Sequence, residues 1–176
     1  MLVLIVAALW SGCVQKKTRE SESVPDQSTT YIEGVPFIKQ KDNFCGPAAM
    51  ASLMQFYGQN ISQEEVAEKV YTPKLEGALI SDMENFAREQ GYNVEVSEGN
   101  IGRLTSLIDE GTPVITLVDK GVWRVSVPHY YVVYGYNAEN GTFLLHTGNE
   151  CCVEMEFDKL DGEWERMNRL MLVIRK

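Results

Sequence analysis

Cys45 stands where a mostly polar run gives way to a small, apolar segment at helical spacing, in QKDNFCGPAAMASLMQFYG, residues 40–58. A helix N-terminus presents unpaired N–H groups and partial positive charge. Both favour an anion, so a thiol placed there can hold a lowered pKa and act as a thiolate nucleophile. Gly46 is read as keeping the side of the sulfur open. The blander reading is a buried, inert thiol in a helix of small residues, since cysteine is commonly buried. A thiolate wants a general base, and the chain has 2 histidines, His129 and His146. His129 opens the apolar run HYYVVYGYN, which offers a rigid strand mount and an exposed ring; His146 ends the next strand. Either is otherwise a satisfied core or surface histidine. An imidazole base is oriented by a third group, usually Asp or Asn. A short Asn/Gly turn joins the two histidine-bearing strands into a hairpin, which brings residues 147–152 near His129. Thr147 and Asn149 are the candidates there, and Asn149 is chemically the better orienter. The assignment depends on register, because a slip of one residue exchanges the side chain that faces the ring. Gln40, ahead of Cys45, carries an amide NH2 that can join the Cys45 backbone N–H in holding an oxyanion; a loop Gln exposed to solvent is the commoner fate.

These groups need elements to carry them. YIEGVPFIKQ reads as an extended approach to the first helix, with Pro36 holding the chain off helix. The first helix is expected over 45–57, with Pro47 in the first turn, where its missing N–H costs nothing, and Gly58 as the stop. Ser62 and Glu65 stand at capping-box spacing before a second helix. YTPKLEGAL is read as a loop, and a third helix covers about 79–90, ended by Gly91. A fourth spans 101–111, where Ile101, Leu104, Leu107 and Ile108 share a face. Strands are expected at YNVEV, PVITLV, HYYVVYGYN, TFLLHT, CCVEMEF and RLMLVIRK, with a short helix in DKLDGEWERM. Helices come first and an antiparallel sheet second, an α+β order.

The chain has 176 residues, enough for one domain with a real core and short for two. Its formal net charge of -9 gives none of the basic footprint of a general nucleic-acid binder. Residues 1–12, MLVLIVAALWSG, are apolar and too few to span a bilayer as a helix. They read as an export signal, and LWSGC resembles a lipobox that would place a lipid on Cys13. Residues 13–30 are polar, unable to bury enough area to order themselves, and read as a flexible tether; the folded domain is expected over 31–176. Beyond Cys13, the thiols Cys45, Cys151 and Cys152 make no disulfide framework and no paired zinc-ligand spacing. Cys151 and Cys152 are neighbours, and a bond between neighbours is strained; one of them pairs with another chain, or both stay free. CGPAA lacks the second Cys of a thiol–disulfide oxidoreductase. No metal or organic cofactor is required by these residues.

VPFIKQKDNFCGPAAMASLMQFYG resembles the N-terminal motif of the C39-like peptidases, a branch of the papain-like cysteine peptidases, and HYYVVYGYN resembles their histidine strand. VYTPKLEGALISDMENFAREQGY, GTPVITLVD, LLHTG and FDKLDGEWERM resemble segments of a bacterial lipoprotein branch of that family. The resemblance covers roughly residues 34–175. It implies a papain-like fold, with N-terminal helices packed on an antiparallel sheet. It implies Cys45 as nucleophile, His129 as base and Gln40 as oxyanion-hole donor. The family's usual Asp, commonly followed by Pro, falls on Thr147, followed by Gly148. A Thr hydroxyl can accept from the imidazole but carries no charge, so Asn149 or a main-chain carbonyl is the alternative orienter. His146 takes a supporting or surface role. Some family members cut leader peptides after double glycine while fused to ABC exporters; no transporter or ATPase segment is read here, so that specificity is not expected.

The expected function is a membrane-tethered cysteine peptidase. It is lipid-anchored in the cell envelope, faces outside the cytoplasm, acts on a peptide or protein, and has no nucleic-acid partner. An inactive peptidase-like binding module and a papain-like acyltransferase or amidase are the competing readings. Specificity is expected from loops 71–78 and 119–128, with Trp123 lining a cleft or covering the core.

Overall fold

The protein, described as a computed structural model, is defined for residues 28–121 and 123–176. The segment expected to be an export signal, Cys13 with its expected lipid, and most of the expected tether lie outside the described residues. A short strand β1 (Thr29–Tyr31) precedes helix α1 (Cys45–Phe56) and helix α2 (Gln63–Val70). Strands β2 (Tyr71–Thr72) and β3 (Gly77–Ala78) then flank a 3-10 turn, Pro73–Leu75. Helix α3 (Ile80–Glu89), strand β4 (Asn93–Glu98), helix α4 (Ile101–Asp109) and strand β5 (Val114–Asp119) follow. The chain continues through β6 (Pro128–Asn137), β7 (Thr142–His146) and β8 (Val153–Glu156), and ends with α5 (Phe157–Glu165) and β9 (Leu170–Arg175).

One antiparallel sheet of 7 strands runs in the order β4-β9-β5-β6-β7-β8, with β1 added along β6. The α+β fold of helices on an antiparallel sheet agrees with the expectation from element order. The alternation of side chains along each strand divides the core in two. Tyr130, Val132, Ile115, Leu117, Leu172 and Ile174 face α1, α2 and α3, against Met50, Leu53, Met54, Val66 and Met83. Their neighbours Tyr131, Val133, Val114, Val118, Met171 and Val173 face the other way, against Leu104, Leu107 and Ile108 of α4 and Leu160 and Trp164 of α5. With helices on both faces, β5 is buried along its whole length, which is why PVITLV carries no polar alternation.

Local signals place the helices as expected. Ser62 accepts from the Glu65 N–H while Glu65 returns a bond to the Ser62 N–H, the complete capping box. Three differences matter. Residues 71–79, read as a loop, contain the β2–β3 hairpin, with Tyr71 opposite Ala78. Thr29 and Thr30, read with the tether, pair with Asn137 and Tyr136, so the sheet begins before Tyr31. Cys151 and Cys152, read as the start of a strand, precede β8 and lie in the β7–β8 connection.

Candidate functional site

The first turn of α1 has no capping side chain and no acidic residue. Its free N–H groups find the sulfur instead: the backbone N–H groups of Cys45 and Gly46 hydrogen-bond Cys45 Sγ, and so does that of Tyr130 from β6. Tyr130 is the residue after His129, so this bond ties the thiol to the strand that carries the imidazole. The expected net effect on ionisation is reversed. Burial pushes the Cys45 thiol above its ordinary value, and the bonds from Tyr130, Gly46 and Cys45, with the charge of Lys120, offset only part of it. Gly46 does not leave the sulfur open either. A Cβ there would lie 2.9 Å from Ala78 Cβ and 3.1 Å from the Met83 sulfur, so this glycine lets α1 approach β3 and α3 closely.

His129 is buried at the start of β6. Its Nε2 lies 2.6 Å from the Thr147 carbonyl oxygen. A carbonyl only accepts, so Nε2 carries the hydrogen and Nδ1 keeps the lone pair that can take a proton. Burial pushes the ring's pKa below 6.5; the Thr147 carbonyl opposes this and the Lys120 charge adds to it.

The pairing Val132↔His146, extended three residues along an antiparallel ladder, would set Asn149 opposite His129. The ladder stops short of that. β7 ends at His146, and Thr147 begins a turn in which its N–H donates to the Glu150 carbonyl at 3.0 Å. Gly148 makes the turn at φ +82°. Asn149 is therefore exposed and makes no bond to His129. The Thr147 hydroxyl is also occupied elsewhere, accepting from the Glu150 N–H at 3.0 Å. Of the candidate orienters, the structure brings the main-chain oxygen of Thr147 to the imidazole and neither side chain. His146 is a buried packing residue: Nδ1 accepts from the Cys152 N–H at 3.3 Å, Nε2 donates to the Val35 carbonyl at 3.2 Å, and the ring packs on Tyr134.

Gln40 is fixed through its backbone, the N–H donating to the Gly148 carbonyl at 2.8 Å. Its Oε1 is buried and has no hydrogen-bond partner. A Cβ at position 148 would overlap that oxygen. Glycine at 148 thus serves both the turn and the Gln40 amide. Gln63, in the first turn of α2, brackets the same segment: its Oε1 accepts from the Lys41 N–H and its Nε2 donates to the Lys39 carbonyl, both at 2.9 Å. Sequence reasoning missed Gln63 and Gly148. The only trace of the first was a polar residue at a buried face of α2, and of the second a glycine where the family's pattern has Pro.

Gln40, Cys45 and His129 line one cavity of about 580 Å³. One wall comes from Leu75 to Ser81, after and within the β2–β3 hairpin, and the other from Leu117 and residues 126–128. Leu75, Leu79 and Val127 expose apolar surface there. Leu75 and Val127 belong to the two segments expected to set specificity, 71–78 and 119–128, and Leu79 lies just beyond the first. Trp123 neither lines the cavity nor covers the core, being 90% exposed. Among the described residues no cluster of His, Cys, Asp and Glu is arranged to hold a metal, and no helix is long and apolar enough to cross a membrane.

A family model, the Peptidase_C39 like family, matches residues 32–171. No curated protein sequence matches the chain. Among solved structures, one from Bacillus anthracis assigned as a C39-like peptidase aligns with a TM-score of 0.69 at 16% identity, covering 84% of this chain and 98% of that one. The peptidase domain of Streptococcus ComA, a bi-functional ABC transporter involved in quorum sensing, aligns with a TM-score of 0.64 at 25% identity, covering 80% and 97%. A double glycine motif protease from an AMS/PCAT transporter, in complex with its leader peptide, aligns at 0.65 and 18% identity, covering 82% and 92%. These matches correct two expectations. Placement in a lipoprotein branch, and with it a lipid-anchored position in the cell envelope, is overturned, because the relatives whose context is given are the peptidase domain of an ABC transporter and a protease from an AMS/PCAT transporter.

Proposed function

Because this chain belongs to the C39-like peptidase family, we propose that it is a cysteine peptidase that cuts a peptide laid across the cavity between the β2–β3 hairpin and the 119–128 loop. One observation carries the reading: Cys45, hydrogen-bonded by the N–H next to His129, shares a cavity with His129, whose Nε2 is held by the Thr147 carbonyl. That leaves Nδ1 as the proton acceptor. Burial favours an uncharged thiol and an uncharged imidazole at rest, so the proton moves as substrate arrives, and the two groups titrate as one pair. Sγ attacks the carbonyl carbon as His129 takes the thiol proton. The Gln40 amide NH2, with the Cys45 N–H released from the sulfur as Sγ bonds to carbon, steadies the oxyanion. His129 then returns the proton to the leaving amine, and a water activated by the same ring releases the acyl group.

The same burial favours the competing reading of an inert binding module, since it works against thiolate formation. Hydrolysis of a peptide library separates the two. Cys45→Ala and His129→Ala should each lower turnover by at least roughly 10³-fold while circular dichroism and thermal unfolding stay near wild type. Wild-type protein that neither hydrolyses any library member nor reacts at Cys45 with a thiol-directed acylating probe would leave only the binding module.

A further inference from the structure

The β7–β8 connection carries two exposed thiols that the mechanism does not use, Cys151 and Cys152. The neighbouring Cys152 thiol holds that of Cys151 above its ordinary value, and adds to the rise that burial gives the Tyr134 hydroxyl. Cys152 holds a left-handed backbone at φ 58°. The peptide between them has a structural task, because its N–H, that of Cys152, is the donor to His146 Nδ1 at 3.3 Å. His146 immediately precedes Thr147, whose carbonyl holds His129 Nε2 at 2.6 Å. The intervening residues are bound to one another through the Thr147 N–H and Glu150 carbonyl and through the Glu150 N–H and Thr147 hydroxyl. The two thiols therefore sit on the turn that orients the imidazole.

We propose that Cys151 and Cys152 are a reversible modification site: a vicinal dithiol that closes to a disulfide by exchange with a low-molecular-weight disulfide, loosening the Thr147 carbonyl from His129. In the first step one thiolate attacks a sulfur of the small disulfide, forming a mixed disulfide and expelling one small thiol. In the second the neighbouring thiolate attacks the protein sulfur of that mixed bond, forming the Cys151–Cys152 bond and expelling the second small thiol. Two protein thiols are oxidised by two electrons; the small disulfide is reduced by the same two, and the two protons leave on the released thiols. Adjacent Cα atoms are about 3.8 Å apart, below the roughly 4.4–6.8 Å usual across a disulfide. Closure must therefore turn the 151–152 peptide, the group whose N–H His146 accepts. A strained bond of this kind is readily reduced, which suits a reversible site. The exchange stands on this loop alone; its consequence for hydrolysis rests on the peptidase reading.

The test uses full-length protein with Cys45→Ala, so that neither the nucleophile nor any hydrolysis enters the readout. Reduced protein is treated with excess glutathione disulfide, and the peptides are mapped by mass. A Cys151–Cys152 peptide lighter by two hydrogens, restored by a reductant and no longer captured by phenylarsine oxide, is the expected result. Free thiols or glutathione adducts alone at these positions would overturn the site. Ring resonances of His129 are followed against pH by NMR in both states. Loss of the Thr147 bond should lower its pKa by roughly half a unit or more, and Cys151→Ser/Cys152→Ser protein should show no such change. A disulfide that forms while the His129 titration is unmoved would overturn the link to the imidazole.

Discussion

At the scale of single residues, the site depends on a main-chain atom where a side chain is usual. The imidazole is held by a carbonyl, which orients the ring without supplying a negative charge, so it stabilises an imidazolium less than a carboxylate does. Substitutions at the turn should therefore sort by backbone rather than by side-chain chemistry. Thr147→Ala and Asn149→Ala are expected to keep turnover within a few-fold of wild type, because neither side chain touches His129. Gly148→Ala is expected to be severe. It forces a Cβ into the left-handed backbone at φ +82° and into the Gln40 amide, and loss of an oxyanion donor costs roughly 10²–10³ in kcat. Steady-state kinetics with folding followed by circular dichroism checks this ordering. A Thr147→Ala enzyme as damaged as Gly148→Ala would return the orienting role to the hydroxyl.

Among the elements, α1 delivers the sulfur and β6 the imidazole, and both are anchored by apolar packing on the same sheet face. Gln40 belongs to neither. It sits in a segment without regular structure, and that segment is held by Gln63 from α2 on one side and Gly148 on the other. Gln63→Ala removes the bonds to the Lys41 N–H and the Lys39 carbonyl, a loss of about 1 kcal/mol for each. We expect a lower urea midpoint and, under the proposed mechanism, a fall in kcat with KM little changed, because an oxyanion donor acts on the developing charge more than on the bound substrate. Gln63→Glu keeps the acceptor for Lys41 and should fall between. Full activity in Gln63→Ala would show that the Gln40 segment is held by other contacts. The helix caps and strand alternation that set these elements were legible in the chain, because each is a pattern over a few neighbouring residues. The β2–β3 hairpin was not, since strands of two residues leave too short an alternation to read.

For the whole molecule, burial sets the charge state of the site and with it the response to pH. His129 and His146 both have pKa values pushed below their ordinary 6.5 by burial. Below that pH the unfolded chain binds protons that the folded chain refuses, so stability is present above about 6.5 and is lost as pH falls towards the lowered folded values. Cys45, pushed above its ordinary 9.0, acts in the opposite window. There the unfolded thiol loses its proton first, and stability declines as pH rises past 9.0. Tyr130, Tyr131 and Tyr134, raised above 10.0 by burial, extend that decline. Thermal unfolding from pH 5 to 10 should trace a plateau between these limbs. A midpoint that stays constant from pH 7.5 to 5.5 would mean that the rings are not held neutral in the folded state.

The amino-acid sequence by itself determined the α+β element order, the helix that starts at Cys45, the strand that starts at His129, and their hairpin partner. These follow from periodicity, capping and turn chemistry within short windows. Only the tertiary structure decided which oxygen holds His129, because extending the register to Asn149 assumes a strand that in fact stops at His146. Only the tertiary structure decided the sign of the Cys45 shift, because the helix N-terminus is a local effect while burial sums over residues distant in the chain, from α3 to β6. It also placed Cys151 and Cys152 on the turn beside the imidazole, a neighbourhood that adjacency in the sequence does not contain.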